Sequence, residues 1–257
     1  MMYKKLIAFL LAIIFLFSNM GAVAAKEETY VNSSSVSDYV IMYLLKELDI
    51  ISEEKDVITR GTCLDMLVKV KESEKFYPEE GIRNIMNLYK VPIVQDWDSL
   101  TISEKNTLFV AGREKIFFGE ENNGELYANL DKPLTYYEAI SFLLRCYYSE
   151  CSILQEIEIE ELNSNWIEYA EDAGILFGRI PDFVEKYPWW WPNPTRAKIE
   201  QILSKSADPI PSEEFYCLFY NMLTAPFYTP MYRLLIQGSI LNSVILRKEG
   251  IDVKQNN

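Results

Sequence analysis

Three threonines constrain this chain more than any other feature, because each stands just ahead of an apolar stretch with helical spacing. Thr59 precedes Cys63, Met66, Leu67 and Val70; Thr135 precedes Ala139, Phe142, Leu143 and Cys146; Thr195 precedes Ile199, Ile202 and Leu203. Steps of three and four place such residues on one face of a helix. A hydroxyl ahead of the first turn accepts a hydrogen bond from a backbone N–H that has no partner inside the helix. Thr135 and Glu138 have the spacing of a capping box. Each threonine also follows a loop and an earlier helical pattern: Val36 to Ile51, Ser103 to Phe117, and Trp166 to Leu176. Thr59 and Thr135 stand 76 residues apart, Thr135 and Thr195 60 apart. The spacing predicts a mainly α chain of three helix–loop–helix units that bury their faces against one another, with a pseudo-threefold arrangement open to it.

The rest of the chain is arranged around those units. Residues 1–25 read as a secretory signal peptide: Lys4 and Lys5, an apolar run from Leu6 to Phe17, then Ala22-Val23-Ala24-Ala25. That run spans 12 residues, short of the roughly 20 a bilayer crossing needs, so cleavage is expected rather than an uncleaved anchor. Residues 26–35 are a polar linker, 36–72 the first unit, 73–95 an insertion with a helical stretch at Ile82 to Leu88, 96–150 the second unit and 151–206 the third. Residues 207–257 are predicted as a C-terminal helical segment, with one helix from Glu213 to Leu223 and a last one from Met231 to Arg247.

Composition removes several function classes. The chain has 257 residues and no histidine, which excludes Ser-His-Asp and Cys-His catalysis and imidazole-based metal sites. Its 38 acids against 25 bases give a net charge of −13, unsuited to neutralising nucleic-acid phosphates. No metal or other cofactor is expected. The Glu120-Glu121-Asn122-Asn123 run lacks the alternating ligands of an EF-hand loop and reads as a turn. Cys63, Cys146, Cys151 and Cys217 allow three full pairings. Three of them sit in apolar helical patterns, where a buried thiol behaves as a small hydrophobe.

In these segments the sequence resembles the S-layer homology family, whose modules are tandem helix–loop–helix repeats with a Thr-Arg-Ala-Glu motif opening the second helix. The matching stretches are Ile58-Thr59-Arg60-Gly61, Pro133-Leu134-Thr135-Tyr136-Tyr137-Glu138-Ala139 and Pro194-Thr195-Arg196-Ala197-Lys198. The motif's Arg is Tyr136 in the second copy, and its Glu is Thr62 and Lys198 in the first and third. The resemblance implies a non-enzymatic protein of the cell wall or cell surface. Its partner would be an anionic secondary cell-wall polysaccharide or surface-layer proteins, with no membrane contact once the signal peptide is removed.

On that reading Arg60 and Arg196, with Thr59 and Thr195 at the helix starts, are the ligand-binding candidates. A planar guanidinium can grip a ketal carboxylate bidentately, and a helix N-terminus favours an anion. The alternative role is structural, each Arg pairing with a local carboxylate and ordering its loop. Trp190 and Trp191, within Trp189-Trp190-Trp191, either stack on a sugar ring or partner, or fill gaps between units. A second functional reading is therefore a secreted interaction or scaffold module that kept the fold and lost glycan binding. A polysaccharide-cleaving carboxylate pair is the third, and no acid pair stands in a context that marks it.

Overall fold

The helical spacing becomes ten helices among the residues that the computed structural model describes, which are 38–71, 77–150, 159–176, 194–229 and 234–248. In chain order they are α1 Asp38–Glu47, α2 Arg60–Lys71, α3 Glu79–Leu88, α4 Ile102–Arg113, α5 Tyr136–Glu150, α6 Ile159–Ser164, α7 Trp166–Asp172, α8 Pro194–Ser204, α9 Ser212–Thr224 and α10 Ile240–Lys248. Two antiparallel hairpins interrupt them: β1 Glu120–Asn122 with β2 Glu125–Tyr127, and β3 Pro226–Thr229 with β4 Leu234–Ser239. The fold is mainly α, and all described residues belong to one unit, Ser33–Asn257. The signal-peptide and linker segments expected at 1–35 lie outside the described residues.

Helices α1, α4 and α7 end the same way. Asp49, Lys115 and Gly174 take positive φ values of 55°, 59° and 74°. In each case the next two amides fold back onto one carbonyl: Ile50 and Ile51 onto Leu45, Ile116 and Phe117 onto Ala111, Ile175 and Leu176 onto Ala170. All six apolar side chains in those pairs are buried. This left-handed reversal satisfies carbonyls that the helix leaves without donors and drives an apolar pair inward. Glycine reaches that conformation freely at 174, whereas Asp49 and Lys115 adopt it at some cost.

Three short extended segments then join in a cycle. Thr59 bridges to Pro133, Thr135 to Pro209, and Pro211 back to Val57, each antiparallel. The central residues Ile58, Leu134 and Ile210 are all buried. Helices α2, α5 and α9 leave these corners directly. The helix pairs α1/α2, α4/α5 and α7/α9 interlock in the same sense: α4 packs on α2, α7 on α5, and α1 on α9. Each corner therefore holds the next, and the last holds the first.

Two expectations are corrected here. The corner completing the cycle is at Pro211, not Thr195; it is 76 residues beyond Thr135, as Thr135 is beyond Thr59. Thr195 instead lies in the first turn of α8, within the excursion between α7 and α9. The helix that leaves the Pro211 corner, α9 at Ser212–Thr224, lies beyond the expected span 151–206. Among the described residues of the helix expected from Met231 to Arg247, Leu234–Ser239 form the strand β4 and the helix α10 starts at Ile240. The Gly119–Gly124 loop is a hairpin whose two turn residues, Asn123 and Gly124, both have positive φ (53° and 82°). That geometry matches the twist of paired strands.

Candidate functional site

The leading amides of α2 decide what the start of that helix can bind. Four N–H groups at a helix start have no partner inside the helix. Here Arg60 N donates to Lys132 O at 2.9 Å and Gly61 N to Leu130 O at 2.8 Å. Thr62 N donates to Thr59 Oγ1 at 3.2 Å, and Cys63 N makes the first regular helical bond, to Thr59 O at 3.0 Å. The start of α5 repeats this with the next corner: Tyr136 N donates to Asp208 O and Tyr137 N to Ser206 O. The capping box expected at Thr135 is formed, with Glu138 N donating to Thr135 Oγ1 and Thr135 N to Glu138 Oε2. Thr59 and Thr135 are therefore helix caps, and the amides beside them serve the joint between helix pairs.

Arg60 is buried, with 1% of its surface exposed. Its Nη1 donates to Ala128 O at 2.9 Å, and its Nη2 donates to Glu120 Oε2 at 3.0 Å and to Glu138 Oε1. The guanidinium also sits 5.3 Å from the centroid of Phe117. Of the two roles open to Arg60, the structural one is formed. A ligand carboxylate would have to displace two of the chain's own, because the guanidinium fork already faces carboxylate and carbonyl oxygens. At the next joint Tyr136 takes the place of Arg60 and donates its hydroxyl to Glu214 Oε2 at 2.7 Å. Burial, and then the Glu214 carboxylate, push the Tyr136 phenol well above its ordinary range, so it stays a donor.

Glu120 extends the network outward. Its carboxylate accepts from Lys132 Nζ at 2.6 Å, Asn129 Nδ2 at 3.1 Å and Arg60. The Lys132 hydrogen bond leads in holding its pKa down to about 2, against the cost of burial. Glu120 and Lys132 line a groove of about 740 Å³ together with Asp96, Ser99, Leu100, Glu104, Glu121, Asn122, Asn129, Leu130 and Asp131. Five carboxylates face one ammonium in that lining, so the groove repels an anionic polymer. Besides Glu120, two of the five are engaged by the chain itself: Asp96 accepts from the Ala128 and Asn129 amides, and Glu104 closes the cap of α4 at Thr101.

The side chains of Thr195 and Arg196, like Trp190 and Trp191, fall outside the described residues. Trp166 is buried and meets Tyr137 edge-on, with 5.4 Å between ring centroids. Sequence reasoning missed Glu120, Lys132 and Glu214 as partners. The Asn123-Gly124 dipeptide was the signal for the hairpin that delivers Glu120. Among the described residues no group of three or more His, Cys, Asp and Glu side chains is placed to hold a metal ion, and no helix is long and apolar enough to cross a membrane. The chain matches no protein-family model, no curated protein and no solved structure.

Proposed function

We propose that this is an exported, non-enzymatic, surface-associated interaction or scaffold module. It is built on three divergent S-layer-homology-like units that meet at corners 57–59, 133–135 and 209–211. The single observation that carries this reading is the state of Arg60. The residue that best matches the family's Arg is buried against Glu138, which matches the family's Glu in the next unit. The cyclic corners and the common ending of α1, α4 and α7 support three related units. The acidic lining beside the second corner supports loss of polyanion binding there. Export is supported by the basic, apolar and small-residue order of residues 1–25.

The test is retention on purified cell walls bearing their polysaccharide, with Arg60→Ala and Arg196→Ala as separate variants checked for folding by circular dichroism. The expected result is no polymer-dependent retention in the parent or in either variant. Polysaccharide-dependent retention that Arg196→Ala alone abolishes would overturn the scaffold reading and place the grip on α8. Retention abolished by a folded Arg60→Ala variant would overturn the structural assignment of Arg60.

A further inference from the structure

Two of the three joints in the cycle are built alike. At each, two leading amides of a helix donate to the following loop, and one amide returns: Leu134 N to Ile58 O at the first, Ile210 N to Leu134 O at the second. A long side chain then crosses, Arg60 to Glu138 and Tyr136 to Glu214. The third joint, from α9 back to the first corner, has Ser212 where the others have Arg60 and Tyr136. A one-carbon side chain cannot span that step. What closes this joint is the Val57–Pro211 bridge, a bond from Lys55 N to Tyr216 Oη at 3.1 Å, and the packing of α1 on α9.

Helix α10 lies across that joint. It packs on α9 and α2 and buries Ile240, Leu241 and Val244. Its last turn ends in two cations. The Arg247 guanidinium donates to Lys71 O at the end of α2. The Lys248 ammonium donates at 2.6 Å both to Glu47 O at the end of α1 and to Asp49 Oδ2. Terminal helix carbonyls lack donors inside their own helix, and the negative end of the helix dipole favours a cation. Thus a helix seated on the third pair caps both helices of the first. The chain between α1 and the first corner, residues 52–57, is exposed and is tied to α9 at Lys55 N and Val57, so α1 could part from α9 about this segment while the corner stays in place.

We infer that α10 is a latch across the joint where the last helix pair meets the first, and that releasing it lets α1 leave α9 while the other two joints stay closed. The inference rests on these contacts and stands independently of the proposed surface role. Once detached, α1 melts, because a ten-residue helix is marginal without packing.

The experiment is amide hydrogen exchange on the full chain carrying Arg247→Ala with Lys248→Ala. The expected result is exchange about tenfold faster at Ile50 and Ile51, the amides that close α1, with Arg60, Gly61, Leu134, Tyr136 and Ile210 unchanged. Lys248→Ala alone, which alters an exposed contact, gives a smaller acceleration at the same two amides and serves if the double variant does not fold. Arg247→Lys with Lys248→Arg keeps both cations and restores protection. Unchanged exchange at Ile50 and Ile51, or equal acceleration at all three joints, overturns the latch.

Discussion

Arg60 and Glu138 stand 78 positions apart and form the ion pair that locks α2 against α5; Tyr136 and Glu214 stand 78 apart as well, and bond at the same step between α5 and α9. The geometry of the step is kept while its chemistry changes from guanidinium to phenol. Only the first version carries a full buried positive charge, and that charge is surrounded by Glu120, Glu138 and the Ala128 carbonyl.

Removing the Arg60 guanidinium should therefore cost stability. Breaking a buried ion pair by deleting one partner destabilises by roughly 3–5 kcal/mol, because the remaining charges lose their compensation. Arg60→Ala should lower the unfolding free energy in urea by about 3 kcal/mol, toward the low end because Glu120 keeps Lys132. Arg60→Lys should recover only part, since one ammonium lacks the planar fork that meets Ala128 O and both carboxylates together. A loss below about 0.5 kcal/mol, the size of an ordinary surface change, would refute this account.

Acid should weaken the fold through Glu120. Its pKa is lowered from 4.5 to about 2, first by the Lys132 hydrogen bond. A carboxylate depressed in the folded state contributes stability that is complete above its unfolded pKa and fades as pH falls through the folded one. The contribution is thus whole above pH 4.5 and declines between there and about pH 2. Urea unfolding over that range should show a shallower pH slope for Glu120→Gln than for the parent. Lys132→Ala should move the Glu120 titration upward in carboxyl NMR. Equal slopes for parent and Glu120→Gln would remove Glu120 from the acid response.

The sequence made most of the helices legible, though not α6, along with two of the three corners. Thr59 and Thr135 carry hydroxyl caps whose physics is local, so their signal survives in one dimension. The third corner was hidden because Pro211 holds the same place without a hydroxyl, while Thr195-Arg196 at α8 offered a better motif in the wrong register. Fixed φ makes proline suitable at an extended entry to a helix, but it leaves no capping signature to read. The partners of Arg60 were hidden for a different reason. They come from a hairpin and a helix 60 and 78 residues away, and nothing in a local pattern reports such pairings. The C-terminal strand β4 is not legible as a strand because a short apolar run such as Leu234-Leu235-Ile236 suits helix and strand alike.

Cys63 offers a probe of the core that does not depend on charge. It is fully buried in α2, and burial first, then the nearby Cys146 and Glu138, push its thiol well up. Thiolate is the reactive form, so alkylation requires both exposure and deprotonation. In native protein at pH 8, mass spectrometry after iodoacetamide treatment should find Cys63 unmodified, and urea should expose it in step with unfolding. Rapid native labelling at Cys63 would contradict the packing of α2 against α5.

Gly112 tests how closely the insertion is packed against the second helix pair. A Cβ at this position would lie 2.3 Å from Val91 Cγ1 and 3.2 Å from Val91 Cγ2. On an open helix, Gly to Ala gains up to about 1 kcal/mol from helix propensity. Here the clash opposes that gain, and overpacking a filled core typically costs about 1–3 kcal/mol. Val91 is buried, its backbone is held by the hydrogen bond from its N–H to Met86 O, and its Cβ also lies 3.3 Å from the added carbon, so turning the side chain does not clear the contact. Gly112→Ala should therefore lower Tm, and adding Val91→Ala should return most of the loss by vacating the volume the new methyl needs. A double-mutant cycle in thermal unfolding measures that coupling, which should favour the double variant by about 1 kcal/mol or more. Strict additivity of the two substitutions would show that Gly112 and Val91 are not in contact in solution.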